Sequence, residues 1–400
     1  MEKSKSKSNF CIRPFNSATI SADGRVNVCC HVNNDVSKFQ NEKNYNIKET
    51  NLKTWWDSDY LNYLRSTFLE NKRPDECSYC WKLEDEGLAS LRTRSNYEYK
   101  AIFNNDFRNK LKLIGKDNLY YPEDVQVSIT NLCNLKCQMC SGTNSSKLLI
   151  ENNALGFEKL DQKDYNLEDN HFEDIKKIAM HDLKMLKLLG GEPLFNPKVI
   201  ELLKMLVDSG KSKEIKLHVT TNGTVCNDKI IELLNKFNDK RIMLSIDATE
   251  KCNDYVRYPS NWKVIEKNVK RFRTLPNTYM YINTVVQNLN ILYLDKLIHF
   301  ANENKIFLNL DSIIRPSHLD FLNLPKSLLQ KSLDRLLDIK NDELIHTKNI
   351  PEIIKKIQDY MKNGKLNDKA YTSFTSMIRK RDAYRKVDIK NYMPELAEEI

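Results

Sequence analysis

Glycine is scarce in this chain, at ten residues in 400, where average usage is about 7%. There is no internal repeat and no low-complexity tract beyond the Lys/Ser start, which sets aside repeat architectures. No apolar run approaches the roughly 18–20 residues of a membrane span, and the mean hydropathy of −0.59 agrees. The first nine residues, Met1 to Asn9, are charged and lack an apolar stretch, so they do not read as a secretory signal. These absences predict a cytoplasmic protein with no membrane partner. The net charge of +9 is too small for its length to indicate direct nucleic-acid binding. The segment Arg379-Lys380-Arg381 reads as a helix face, and Met1 to Ser8 as a solvated tail.

An even spread of cysteines, the mark of a short secreted disulfide scaffold, is also missing. The ten cysteines stand at 11, 29, 30, 77, 80, 133, 137, 140, 226 and 252. Eight fall in two clusters and two are isolated. In a cytosolic chain, clustered cysteines point to metal or iron–sulfur ligation rather than to disulfides.

The texture changes along the chain. Residues 1–115 read as a small cysteine-organised domain, with a hairpin around Asp23-Gly24 flanked by Thr19–Ile20 and Val26–Val28. Apolar spacing predicts one helix from Asn51 to Glu70, ended by Pro74, and a second, charged one from Trp81 toward Lys112. Residues 116–316 alternate between short buried strands and helices. The strands are Val125–Ile129, Leu183–Leu189, Ile215–Thr220, Ile242–Ile246, Tyr279–Val286 and Ile306–Leu310. Such alternation argues for α/β architecture built from parallel βα units. Six strands are too few for an eight-fold barrel, so a partial (β/α)6 TIM-like barrel is expected. Residues 317–400 read as a helical C-terminal extension.

The first predicted barrel strand runs straight into Asn131-Leu132-Cys133-Asn134-Leu135-Lys136-Cys137-Gln138-Met139-Cys140. This is C-x₃-C-x₂-C at the carboxyl end of a strand, where parallel α/β folds place their chemistry. Three thiolates can hold three irons of a [4Fe–4S] cubane and leave the fourth iron open. Structural zinc, the ordinary alternative, prefers four closed ligands in paired C-x₂-C knuckles. After the next strand comes Gly190-Gly191-Glu192-Pro193. The third strand ends in Thr221-Asn222-Gly223-Thr224 and the fourth in Ser245-Ile246-Asp247-Ala248.

With these segments in register, residues 121–313 resemble the radical S-adenosylmethionine (radical SAM) superfamily. The resemblance implies a [4Fe–4S] cluster on Cys133, Cys137 and Cys140 that binds S-adenosylmethionine through its open iron. Gly190 and Gly191 would present backbone carbonyls to the SAM ammonium, with Glu192 nearby. Met139 fills the slot beside the adenine that is aromatic in the family, and a thioether packs well there. Ser245 matches the position that hydrogen-bonds the ribose or carboxylate, and Thr221 and Asn222 are the parallel candidates on the third strand, although Asn222-Gly223 alone reads equally as a tight turn. Asp247 is expected to N-cap a helix, in a capping box with Glu250.

A second constellation precedes the first. Cys11, Gly24, Cys29 and the pair Cys77/Cys80 resemble the auxiliary-cluster module called SPASM or, in its one-cluster form, twitch. Ile20, Asp23-Gly24, Trp56-Asp57-Ser58, Arg65, Trp81 and Glu84 match its surroundings. The resemblance implies a second [4Fe–4S] cluster, in a module that here stands before the barrel rather than after it. Spacing favours Cys29 as a ligand; Cys30 is the alternative. His31 reads as an ordinary histidine. Cys226, beyond the third strand, is the one catalytic candidate, as a hydrogen donor to a substrate radical, against the usual role of a small hydrophobe. Cys252 carries less.

The implied activity is reductive cleavage of SAM to a 5′-deoxyadenosyl radical that abstracts hydrogen from a substrate. Relatives with such modules suggest a peptide or protein substrate; a nucleotide or other small molecule is the alternative, and a non-catalytic zinc protein the remote one. A flavodoxin- or ferredoxin-like electron donor is the expected partner. Sequence leaves the reaction outcome and the oligomeric state open.

Overall fold

The computed structural model describes residues 8–32, 45–99, 121–181, 183–313, 315–339 and 346–400. The expected N-terminal tail, and the stretch of the second helix beyond residue 99, lie outside them. The chain divides into two compact units. One comprises Met1–Thr130, Lys163–Gly190 and Leu202–Leu217; the other Asn131–Gln162, Gly191–Glu201 and His218–Ile400.

The first unit opens with β1 (Ser17–Ile20) and β2 (Val26–Asn27), paired antiparallel with Ile20 opposite Val26. The turn is the expected one at Asp23-Gly24, where Gly24 takes φ +89° that a side chain would resist. Less expected is the other edge of β1. It pairs in parallel with β3 (Asp124–Ser128), Ala18 opposite Val125, and β3 pairs in parallel with β4 (Met185–Leu189). The N-terminal hairpin therefore shares a sheet with the first barrel strand. Ile20, Val125 and Leu186 meet Ile175, Ile178 and Ala179 of the helix Asp169–Met180 in an apolar layer.

Two helix readings in this unit need correction. The helix expected over 51–70 is two: Leu52–Trp56 and Asp59–Leu69. Ser58 breaks them, because its extended backbone and its hydroxyl, which accepts from the Leu61 N–H at 3.2 Å, make it an N-cap. The charged helix after Trp81 is likewise split into Ser78–Asp85 and Leu91–Glu98. Gly87, at φ +80°, ends the first piece, and a Ser90/Thr93 capping box starts the second.

In the second unit β5 (Lys216–Thr221) enters at His218. It is followed by β6 (Asp239–Ser245), β7 (Thr278–Val286), β8 (Phe307–Ser312) and β9 (Thr347–Lys348), all parallel from β6 onward. Helices Asp228–Asn235, Trp262–Phe272 and Leu294–Glu303 fill the connections. Each buries one apolar stripe, such as Ile265, Val269 and Phe272, so the sheet face is covered as parallel strands require. All six expected strands are present within a few residues of their predicted bounds; the two-residue β9 was not anticipated. The fold is the mostly parallel α/β class with the strand–helix alternation of a partial barrel. Helices Lys326–Leu337, Ile350–Asn363 and Asp368–Arg385 follow β8. Among the described residues no helix is long and apolar enough to cross a membrane.

Candidate functional site

The C-x₃-C-x₂-C loop leaves the end of β3 and is held by backbone rather than by bulk. The Lys136 N–H donates to the Tyr258 carbonyl at 2.5 Å, and the Gln138 N–H to that of Val256 at 2.8 Å. Within the loop, burial comes first in pushing the Cys133 and Cys140 thiols up to about 12, and the neighbouring Cys137 adds to both. The three candidate cluster ligands are thus within electrostatic reach of one another. As free thiols they stay protonated, and they become donors only when a cation takes the proton's place.

Arg257 sits under this loop. Its Nη1 points at Cys137 Sγ at 3.9 Å, and its Nε pairs with Asp247 at 2.7 Å. Burial works against the guanidinium charge, but Asp247 and Cys137 outweigh it and hold Arg257 more firmly protonated. This corrects the reading of Asp247 as a helix cap. Asp247 is fully buried and also accepts from the Val285 N–H at 2.8 Å, while Thr249 occupies the cap position of helix Glu250–Val256 without a side-chain bond. Once buried, a carboxylate needs a partner charge and donors, and Arg257 and the Val285 N–H supply them.

Gly190 and Gly191 occupy places where no side chain fits. Gly190 has φ +95°, and a Cβ there would lie 2.8 Å from the Thr130 carbonyl. A Cβ on Gly191 would overlap the Leu132 carbonyl beside Cys133. Glu192 is buried, and its carboxylate accepts from the Leu194 N–H at 3.1 Å, the Thr221 hydroxyl at 2.7 Å and the Asn222 N–H at 2.7 Å. Burial dominates over these donors and pushes its carboxyl up to about 7. Asn222 then reaches Asn134, between the cysteines, through Nδ2 to Oδ1 at 2.9 Å. Three predicted SAM-contact residues therefore form one buried network with the cysteine loop. Ser245 closes β6 and Met139 packs against Cys133 and Cys137.

Residues that sequence reading missed come from the far end of the chain. Arg381, read only as part of a helix face, does lie on helix Asp368–Arg385; it is buried there and donates from Nη1 to the Gln138 carbonyl at 2.7 Å and to its side-chain Oε1 at 2.9 Å. Arg385 pairs with the buried Glu151 at 2.6 Å and donates to the Lys136 carbonyl at 2.8 Å. Nothing in a lysine-rich C-terminus marks these two. Helix Asp368–Arg385 and the cysteine loop line a cavity of about 1180 Å³. The Cys226 thiol is buried, pushed up to about 11 chiefly by desolvation, and lines no part of that cavity. Cys252 is buried against the Leu289 carbonyl and Met393.

The four cysteines of the N-terminal constellation also meet. Burial first, then Cys29 and Cys80, drives the Cys11 thiol up to about 12; Cys77 is raised by burial and by Cys11, Cys29 and Cys80. Cys30 is exposed and acts on Cys29 alone among these. Arg13 lies beside Cys11 and Cys29, donating from Nε to the Val28 carbonyl at 3.1 Å, with Asp124 as its counter-charge. The matched surroundings act as supports. Arg65 ties the Pro14 and Trp56 carbonyls together and stacks on the Trp56 ring at 4.5 Å, and Glu84 pairs with Arg92. Among the described residues no three Cys, His, Asp or Glu are set to hold a single metal ion. A cubane spreads its thiolates over separate irons and does not ask for that spacing.

Comparison with known proteins decides the class. The radical SAM superfamily profile matches residues 127–301, and the SPASM iron–sulfur cluster-binding domain matches residues 11–81. The chain is a radical SAM superfamily enzyme with an N-terminal SPASM domain. Its cofactors are accordingly a [4Fe–4S] cluster, SAM and an auxiliary iron–sulfur cluster, and the two sets of buried, mutually coupled thiols suit them. A GTP 3′,8-cyclase of Campylobacter fetus subsp. fetus is 26% identical over 60% of this chain and 70% of its own. An uncharacterized protein of Methanocaldococcus jannaschii is 26% identical over 60% of this chain and 79% of its own. The crystal structure of Streptococcus suis SuiB bound to precursor peptide SuiA superimposes with a TM-score of 0.39 and 18% identity, over 65% of this chain and 58% of that one. The chain thus spans less than two thirds of that structure's length.

Proposed function

We propose that this enzyme modifies a peptide or protein by hydrogen abstraction, and that the cavity beside Cys137–Cys140 receives the substrate. The cavity carries the reading: at about 1180 Å³ it is large, and the exposed Ser373, Ser376 and Lys380 in its lining leave it open to a chain that extends beyond it. The bound cluster and SAM supply a carbon-centred radical on one-electron reduction. Cys133, Cys137 and Cys140 are the proposed cluster ligands. Gly190 and Gly191 leave room for backbone carbonyls to reach the SAM ammonium, with Glu192, Thr221, Asn222 and Ser245 around it and Met139 beside the adenine. Arg257 holds a positive charge against the loop, which favours thiolate at Cys137. Cys11, Cys29, Cys77 and Cys80 are the proposed auxiliary ligands. The proposed domains are 1–115, 116–316 and 317–400, the site is cytoplasmic, and a flavodoxin- or ferredoxin-like protein delivers the electron.

A second reading has its own support. Similarity to a GTP 3′,8-cyclase favours a nucleotide substrate in the same cavity. Isotope transfer separates the two. Perdeuterated peptides, made from any short open reading frame found beside the gene, and perdeuterated GTP are offered in turn to the reduced enzyme with SAM. Deuterium in 5′-deoxyadenosine from a peptide supports the first reading; deuterium from GTP alone replaces it with the second.

A further inference from the structure

The wall that the C-terminal helix gives the cavity has its own chemistry. Helix Asp368–Arg385 presents Ser373, Ser376 and Lys380 to it, spaced 3 and 4 apart along one face, and the segment after β8 presents Arg315. Arg315 and Lys380 are both exposed, and among the described residues neither pairs with a carboxylate. The Lys380 ammonium lies 5.5 Å from the centroid of the half-exposed Phe157 ring, which lines the same space. The cavity's one carboxylate, on Glu158, is already bound by the Gly142 N–H at 2.9 Å. The other two cations there are committed as well: Arg257 to Asp247, Arg381 to Gln138. Two cations are thus left facing an open space, and among the described residues neither forms an ion pair with Glu158, the one carboxylate there.

We propose that Arg315 and Lys380 read a carboxylate on the peptide substrate, so that an Asp or Glu side chain enters this cavity and sets the segment against the cysteine loop. The proposal rests on the peptide reading above. Exposed guanidinium and ammonium groups keep most of their water when they meet a carboxylate, so little desolvation opposes the contact, and a partly enclosed wall strengthens it. The serine hydroxyls on the same helix face can bond backbone amides of an extended segment. Phe157 keeps the ammonium of Lys380 near its ring rather than loose in solvent.

The test selects a random twelve-residue peptide display library on the anaerobic holoenzyme with SAM and without reductant. The same library is selected on holoenzyme carrying Arg315→Gln with Lys380→Gln, and on the Arg315→Glu/Lys380→Glu pair. Iron content and circular dichroism must match wild type for a variant to be used. The expected result is Asp/Glu enrichment on wild type that vanishes on the Gln pair and inverts toward Lys/Arg on the Glu pair. A synthesised winner should bind the Gln pair about tenfold more weakly, the scale of one charge-assisted contact, and its Glu→Gln analogue should lose a similar factor on wild type. Enrichment without acidic bias, or bias indifferent to both pairs, overturns the inference and leaves the peptide reading standing. No enriched peptide together with binding of radiolabelled GTP by equilibrium dialysis overturns both.

Discussion

Arg381 Nη1 donates to the backbone carbonyl of Gln138 at 2.7 Å, joining the C-terminal helix to the loop between two candidate cluster ligands. Burial lowers the pKa of this guanidinium to about 10, which still leaves it charged at neutral pH. A buried carbonyl so held loses its partner if the arginine is shortened.

Arg381→Ala is therefore expected to cost about 2–4 kcal/mol, the range for breaking a buried charged contact. It should also speed loss of iron from the SAM-site cluster in the presence of a chelator. Arg381→Lys keeps the charge and one donor, and should recover part of both. Thermal unfolding and iron retention measured together check this; an alanine variant with wild-type values in each would remove the helix from the site's support.

Glu192 gives the molecule a pH signature. Its carboxyl is raised from an ordinary 4.5 to about 7 in the folded protein. A raised acid favours the folded state when protonated, so this contribution is full below about 4.5 and is lost as pH rises through about 7. The whole window is worth on the order of 3 kcal/mol. Without SAM, the thermal midpoint should fall from pH 5 to pH 8, and Glu192→Gln should flatten that slope. Parallel slopes for the two proteins would contradict the assignment.

Burial and coupling favour Cys29 over Cys30 as the proposed auxiliary ligand. Cys29 interacts with Cys11 and Cys77, whereas Cys30 is exposed. Cys29→Ala and Cys77→Ala should each disturb the auxiliary cluster and spare SAM cleavage, and Cys30→Ala should be milder. Iron per chain and Mössbauer spectra give the readout. Loss of the auxiliary cluster in Cys30→Ala, with retention in Cys29→Ala, would shift the ligand by one residue.

How far the sequence carried depended on whether a function left a local trace. The barrel strands were legible because each is a short apolar run next to an amphipathic helix, as with Ile242–Ile246 and Trp262–Phe272. The glycines at 190 and 191 were legible because so few exist in the chain. Ser58 was not, since an N-cap inside a continuous apolar pattern is outweighed by that pattern. Asp247 was misread for a related reason: local spacing to Glu250 suggested a cap, while its partner Arg257 and its acceptor role toward Val285 are set by tertiary packing. Arg381 and Arg385 had no local sign at all, because what buries them is a loop some 240 residues earlier in the chain.

One measurement bears most directly on the account. Reduced wild-type enzyme with SAM should release 5′-deoxyadenosine and methionine slowly even without substrate, and Cys137→Ala should release none while Cys77→Ala still does. Replacing Cys133, Cys137 and Cys140 together should leave roughly half the iron, since each cubane holds four. Continued 5′-deoxyadenosine release from Cys137→Ala at the wild-type rate would place the chemistry elsewhere and contradict the assignment of this loop.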